Sequence, residues 1–318
     1  MEDRIQETKR IFFNLYNDKV IEILPCGNHE LKRNLVYHVK LSSEHYVIKF
    51  FYKPLKRDRE INIIPQTYEF NPLRILYQGE LVDGTEWIIY NYIEGWLLDH
   101  IIDDLDLDQR RAIFEEVGMK LAQLHSLKTF DYFGDLSSDK QSSCDAYKSF
   151  VIDDTERLIK NINMQDLSEI PELKKAIEII RSEYTNIRCL QKGRYCHRDL
   201  DGRNIIIKMD LERGLSLEAF LDFEKTVIYN EYYDIVNLYR RYFLEEPKLI
   251  PHFFKGYTSI INIDDSFNKE LRFNLYRLGI DICSWSKTLS DKFFEHTIAY
   301  LNALIYKDEH LSDYYLKL

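Results

Sequence analysis

The sequence predicts an α+β protein in two parts, a small antiparallel β-sheet followed by a mainly helical body. Three observations carry that prediction. The first ninety residues hold short runs of β-branched and aromatic residues, the pattern breaks at Asn91-Tyr92-Ile93-Glu94-Gly95, and beyond the break apolar positions recur at helical spacing almost to the end. The corresponding boundaries are residues 1–90, a hinge at 91–96, and 97–318.

Length and composition set the frame. A chain of 318 residues rich in Ile, Leu, Phe and Tyr suits one large or two modest domains with a sizeable core. Its 43 Lys and Arg against 53 Asp and Glu leave a net charge of −10. That balance argues against a general nucleic-acid binder, which carries a basic face, and leans toward a cationic partner. The five cysteines, Cys26, Cys144, Cys189, Cys196 and Cys283, are scattered without a CxxC pair, so neither a disulfide framework nor a zinc site is indicated. Reduced thiols fit a cytoplasmic location. The charged start Met1-Glu2-Asp3-Arg4 continues as an amphipathic run rather than the apolar one expected of a signal peptide, so no targeting signal is expected, and no apolar run reaches membrane-spanning length.

In chain order, Ile5, Ile11, Phe12 and Leu15 predict an opening helix that ends near Asn17-Asp18. Val20–Leu24, Leu35–Leu41 and Tyr46–Tyr52 predict strands, with a turn at Ser42-Ser43-Glu44. Pro54 and Pro65 are expected to open and close a helix carrying Glu60. Trp87–Tyr90 reads as a buried strand. Helices follow at 107–125, where His125 is expected to be buried and hydrogen-bonded, then at 145–163, 172–190, 230–243, 247–257, 267–288 and 292–306. The acidic run Asp99, Asp103, Asp104, Asp106 and Asp108 reads as a solvated face with a helix N-cap, because its carboxylates fall on several helical faces.

Chemistry concentrates in Tyr195-Cys196-His197-Arg198-Asp199-Leu200-Asp201-Gly202-Arg203-Asn204 and in Leu221-Asp222-Phe223-Glu224. An Asp and an Asn around a tight Gly-containing loop, then an apolar strand ending in a second Asp, are the residue types that hold a hydroxyl and Mg²⁺ against a nucleotide. The midpoint between Asn204 and Asp222 is Arg213, within the turn-forming Glu212-Arg213-Gly214. An antiparallel hairpin folded there brings Asn204 and Asp222 nearly opposite each other, within reach of one hard cation. Taken singly, Asp199 can cap a turn and Asn204 can be a turn residue.

Lys49 interrupts an otherwise apolar strand. It reads either as an exposed edge-strand lysine or as a cation over nucleotide phosphates, oriented by Glu60 on the next helix. Backbone groups of Asn91, Tyr92 and Ile93 can face the edge of a nucleotide base. Pro25-Cys26-Gly27-Asn28-His29-Glu30 stands where a phosphate-cradling loop is expected, with Gly27 its only glycine; Lys32 and Arg33 read as a solvated basic pair.

The order Lys49, Glu60, hinge, Leu124-His125, His197-x-Asp199-x-x-x-x-Asn204, Asp222-Phe223-Glu224 and Tyr233-Asp234, with Asn34-Leu35-Val36-Tyr37 in the second strand, resembles the aminoglycoside phosphotransferase and choline kinase-like family. The resemblance covers nearly the whole chain. It implies a bilobal protein-kinase-like fold, Asp199 as catalytic base, Asn204 and Asp222 as Mg²⁺ ligands, Lys49 held by Glu60 at the phosphates, and ATP or GTP as donor. His197 is then a brace for the loop. Glu224 stands as a second metal contact, an acceptor contact or a structural salt bridge.

Arg198 and Phe223 also fit the HRD and DFG motifs of protein kinases. Asp201 in place of the usual Lys, Glu224 in place of the Gly, and the short interval to Asp234, with no room for an activation segment, argue against a peptide substrate. The expected activity is phosphoryl transfer to a hydroxyl of a small, cationic acceptor. An aminoglycoside, and with it antibiotic resistance, comes first; choline, amino-acid and sugar acceptors are the alternatives, and a non-catalytic kinase-like binding protein is the contrasting class. Charges near Asp264, Asp265, Asp281 and Glu295 lie where acceptor contacts are expected, though helix charges of this kind are commonly just solvated. Neither nucleic acid nor membrane is an expected partner, and oligomeric state is not legible.

Overall fold

The computed structural model describes residues 4–27, 34–136, 147–210 and 214–314. The smaller part opens with helix α1 (Ile5–Tyr16), followed by strands β1 (Glu22–Cys26), β2 (Leu35–Lys40) and β3 (His45–Phe50), helix α2 (Lys56–Ile63), and strands β4 (Ile75–Glu80) and β5 (Glu86–Asn91). The strands form one antiparallel sheet in the order β1-β2-β3-β5-β4. β3 is therefore internal. The edge-strand reading of Lys49 fails, and its neighbours across the ladder are Val36 and Ile88.

Strand alternation divides this sheet into two faces. Tyr37, Ile48 and Ile89 pack with Ile11 and Phe12 of α1 in one cluster, so α1 is a cover for the sheet. Leu15, expected on the buried face, is exposed; Thr8, Ile11 and Phe12 carry it instead. The other face, bearing Val36, Val47 and Lys49, looks toward the large part.

After β5 the chain crosses at residues 92–95 into β6 (Trp96–Leu97), α3 (Leu98–Ile101) and α4 (Leu107–Ser126), then β7 (Thr129–Phe130) and β8 (Gly134–Asp135). Helices α5 (Tyr147–Asn163) and α6 (Pro171–Ser182) precede β9 (Gly193–Cys196), the hairpin β10 (Ile205–Asp210) and β11 (Gly214–Phe220), and β12 (Val227–Tyr229). The chain ends in α7 (Tyr232–Leu238), α8 (Ile250–Thr258), α9 (Ser266–Ser286) and α10 (Asp291–Lys307). β6 pairs with β10, which anchors the crossover directly to the hairpin.

Several boundaries depart from expectation for local reasons. Asp106 caps α4 in a reciprocal box with Gln109, as its acidic run suggested. Asp99 of the same run is not a solvated charge: its carboxylate meets Arg241 at 2.6 Å and the Tyr242 hydroxyl at 2.9 Å. α2 begins two residues past Pro54, after Leu55 in a left-handed conformation, and Pro65 sits in a 3₁₀ continuation of it. α6 stops at Ser182, short of residue 190, and β4 went unforeseen. Among the described residues, no two of Cys26, Cys189, Cys196 and Cys283 are joined in a disulfide, and no helix is long and apolar enough to cross a membrane.

The core of the helical part depends on α4 crossing α8 at close range. Gly118 and Gly256 permit it: a Cβ at Gly118 would run into the Phe253 carbonyl oxygen, and one at Gly256 into the Glu115 carbonyl oxygen. Both obstacles are backbone, which cannot step aside as a side chain can. Gly118→Ala should therefore destabilise the fold by about 1–3 kcal/mol despite the better helix propensity of Ala, read as a lowered midpoint in thermal or urea unfolding; an unchanged or raised midpoint would contradict this packing.

Candidate active site

Two non-glycine residues in the cleft have positive φ, Arg198 at 64° and Asp222 at 61°. Each conformation costs on the order of 1–3 kcal/mol and persists only where neighbours enforce it. For Arg198 the enforcer is Asp234 on α7. Its fully buried carboxylate accepts the backbone N–H of His197 at 2.6 Å and of Arg198 at 2.7 Å, while His125 Nε2 lies 3.0 Å away. Tyr257 in turn meets His125 Nδ1 at 2.7 Å, so the loop from His197 to Asn204 is tied through α7 and α4 to α8.

His197 joins this loop to the next. Its Nε2 lies 2.8 Å from the Leu221 carbonyl oxygen, its Nδ1 receives the Asp199 N–H at 3.3 Å, and its ring packs on Phe223. Asn204 acts from the far end of the loop, donating its Nδ2–H to the Asp199 carbonyl at 2.8 Å; its Oδ1 is then the atom it can offer to a cation. The β10–β11 ladder has a bulge between Ile206 and Ile207, and the Leu221 N–H donates to the Asn204 carbonyl at 2.9 Å. Asn204 thus faces Leu221, with Asp222 one residue beyond, a slip of one from the symmetric hairpin expected around Arg213. The turn itself, Arg213 included, lies outside the described residues.

Gly202 has a packing reason to be glycine. A Cβ there would strike the Tyr242 hydroxyl and come within 2.8 Å of the Asp99 backbone nitrogen. Asp201 caps the turn by accepting from Arg203 N–H at 3.0 Å and pairs with the Arg203 guanidinium.

Opposite the loop, the buried Lys49 ammonium meets three carboxylates: Asp222 at 2.6 Å, Glu60 at 2.8 Å and Glu224 at 2.9 Å. Burial alone would push this ammonium down, but the three anions together hold it well above the ordinary lysine range. Burial, reinforced by the Asp222 charge, raises the Glu60 carboxyl to about 7 against the pull of Lys49. Tyr90 donates its hydroxyl to Glu60 as well. Burial also works against the Asp222 and Glu224 carboxylates, yet Lys49 keeps both below their usual range. Oxygens of Glu60, Asp222 and Glu224 converge within 4.8 Å, an all-oxygen donor set of the kind hard divalent cations take.

Two further contacts, from Lys56 and Arg59, bind α2 to the Asp222 loop, and Asn34, ahead of β2, adds a third. Lys56 and Asn34 hold the Glu224 carboxylate, and Arg59 donates to the Glu224 carbonyl at 3.2 Å while its guanidinium meets Asp135. Asp199 is partly exposed, with Lys225 Nζ at 2.9 Å and Arg203 at 4.0 Å. Burial pushes its carboxyl up, but these two cations outweigh burial and hold it below the usual carboxylate range.

The hinge residues do not share one role. Asn91 turns its side chain away, accepting from Arg74 N–H at 2.6 Å and donating to the Pro72 carbonyl, and its backbone N–H donates to the Arg74 carbonyl at 3.2 Å, so neither is open to a base. Tyr92 stacks on His38 at 4.4 Å, and Ile93 packs against the large core. Gly27 has a φ of 77° with nothing within 4 Å of an added Cβ; Asn28-His29-Glu30, Lys32 and Arg33 lie outside the described residues. Lys56, Arg59 and Lys225 were missed as site residues. Lys225 had a signal, since it directly follows Glu224.

Comparison with known proteins fits this geometry. A model described as the phosphotransferase enzyme family matches residues 30–266. The chain belongs to that family. No curated protein matches it in sequence. The likeness in three dimensions is extensive: a thermostable mutant of aminoglycoside phosphotransferase APH(4)-Ia superposes with a TM-score of 0.71 at 12% identity, over 94% of this chain and 99% of that one. The GDP complex of wild-type aminoglycoside 2'-phosphotransferase-IIIa gives 0.69 at 13% identity, over 95% and 98%. Spectinomycin phosphotransferase APH(9)-Ia, in complex with ADP and spectinomycin, gives 0.61 at 13% identity, over 94% of each chain. The kinase-like bilobal fold is thereby established for this phosphotransferase. As expected of a chain without an activation segment, the one regular element between the Asp222 loop and α7 is β12.

Replacing Asp234 by Asn should test how far the catalytic loop depends on it. An amide presents only one acceptor oxygen to the two backbone donors and His125, so Asp234→Asn should lose about 1–3 kcal/mol of stability and at least tenfold in turnover. Urea unfolding and steady-state kinetics measure both; a variant equal to wild type in both would show that the loop keeps its shape without this carboxylate.

Proposed function

We propose that this phosphotransferase is a small-molecule kinase that moves the γ-phosphoryl group of ATP or GTP to a hydroxyl of a small acceptor. The observation that carries the reading is the convergence, in one cleft, of Asp199, Asn204 and Asp222 with the buried Lys49–Glu60 pair. The backbone of Tyr92 and Ile93 faces the base, Val36 and Val47 form an apolar ceiling beside Lys49, and Gly27 lies toward the phosphates. Asn204 Oδ1 and Asp222 would hold Mg²⁺, with Glu224 beside them, and the ion would supply positive charge to the phosphate oxygens.

Asp199 orients the acceptor hydroxyl and takes its proton as the oxygen bonds to the γ-phosphorus. The bond from that phosphorus to the β,γ-bridging oxygen breaks, and a nucleoside diphosphate leaves. A carboxylate with a lowered pKa suffices, because the loose transition state needs positioning and charge cancellation more than a strong base.

A cationic acceptor, aminoglycoside-like first, is supported by the net charge of −10 and by the likeness to a structure holding AMP-PNP and hygromycin B and another holding ADP and spectinomycin. Such an acceptor would make the protein an antibiotic-modifying enzyme. A neutral polyol or sugar is the second reading, favoured by one detail. Two half-buried carboxylates behind the base are already neutralised, Asp281 by Arg198 at 3.1 Å and Asp154 by the buried Arg277, so neither is a ready-made ammonium site.

The test is nucleotide-diphosphate release with Mg·ATP and Mg·GTP over a panel of aminoglycosides, choline, amino acids and sugars, repeated with Asp199→Asn. Turnover with at least one acceptor is expected, and the substitution should lower kcat by about 10²–10⁴-fold while nucleotide affinity changes little. Undiminished turnover in Asp199→Asn would remove Asp199 as the base; no turnover across the panel would count against the kinase reading.

A further inference from the structure

The cations of the cleft are not equally available. Lys49 is buried among three carboxylates, with 6% of its side chain exposed. Lys56 is held by Glu224, and Arg203 is committed to Asp201. Lys225 differs: its side chain is 44% exposed, and among the described residues its one ion-pair partner is Asp199, with Nζ at 2.9 Å from Oδ2. It stands three residues past Asp222, on the turn that the left-handed conformation of Asp222 starts.

This position has a chemical consequence. A hydroxyl in line for transfer sits about 3 Å from the Asp199 carboxylate and about 3–3.5 Å from the γ-phosphorus. An ammonium already touching Asp199, on a flexible four-carbon stem with three donors, reaches the γ-phosphoryl oxygens by rotation of that stem. Among the described residues, no other side-chain cation of the cleft has the Asp199 carboxylate as its one ion-pair partner. Catalysis of phosphoryl transfer gains most from positive charge aimed where the transferring oxygens sit.

Resting on the phosphotransferase reading above, we propose that Lys225 is a γ-phosphoryl contact. Its ammonium bridges the Asp199 carboxylate and the γ-phosphoryl oxygens, so it distinguishes nucleoside triphosphate from diphosphate and stabilises the group in transit. The step remains the one already balanced: oxygen to γ-phosphorus forms, γ-phosphorus to bridging oxygen breaks, and the hydroxyl proton goes to Asp199. Lys225 exchanges no proton.

Calorimetric titration with Mg·ADP and with the β,γ-imido analogue of Mg·ATP tests this without turnover. Lys225→Ala should weaken the imido analogue at least tenfold and ADP less than twofold, and lower kcat at least 100-fold; Lys225→Arg, which keeps the charge, should recover most of the loss of affinity. Lys225→Gln repeats the measurement with a longer uncharged side chain if the alanine variant does not fold. Equal losses for ADP and the analogue, or no loss for either, would overturn the γ-phosphoryl role while leaving the kinase reading intact. Failure of the wild-type protein to bind either nucleotide would overturn both.

Discussion

The structure depends on one buried ammonium. Lys49, on the middle strand of the small sheet, is the common partner of Glu60 on α2 and of Asp222 and Glu224 on the loop after β11. None of the three acids tolerates burial alone, and removal of one partner from such a cluster costs about 3–5 kcal/mol. The same contact fixes three elements from two halves of the molecule. Lys56, Arg59 and Asn34 extend it, so α2 cannot leave the Asp222 loop without exposing a chain of unpaired charges. The oxygens of Glu60, Asp222 and Glu224 converge beside Lys49 in an all-oxygen set that suits a hard divalent cation.

The opposite wall is organised by a buried carboxylate. Asp234 holds the backbone of His197 and Arg198 in a conformation that the chain alone disfavours, and His125 and Tyr257 carry the restraint into the helical core. Tight helix crossing at Gly118 and Gly256 and the close approach of α3 to Gly202 serve the same end. Asp199 is thereby presented on a loop held from both ends, with the Lys225 ammonium 2.9 Å from its carboxylate.

Much of this was legible in the sequence because its signals are local. Strand periodicity marked β2, β3 and β5, and the turn at Glu212-Arg213-Gly214 tied Asn204 to Asp222 within one residue of the observed register. Asp210 pairs with Gly214, two residues short of the symmetric register around Arg213, and the extra residue of β11 opposite Ile206 and Ile207 takes one of the two back; neither shift leaves a mark on hydrophobic alternation. β4 was missed because it is an edge strand exposed on most of its length, with Gln78, Gly79 and Glu80 in place of an apolar pattern. Asp99 was misread for another reason: its partner, Arg241, is 142 residues away. Polarity predicts exposure unless a distant partner intervenes. Lys225 was overlooked beside a recognised motif because its place rests on the left-handed turn at Asp222, which brings it round to Asp199.

The central claim is that this cleft transfers a phosphoryl group to a carbon-bound hydroxyl. Phosphorus-31 NMR of the protein with Mg·ATP and an acceptor mixture tests it most directly. The account predicts a new phosphomonoester resonance that grows as the γ-phosphate signal falls and the ADP signals rise. A γ-phosphate that ends only as inorganic phosphate, or a spectrum that does not change, would contradict it.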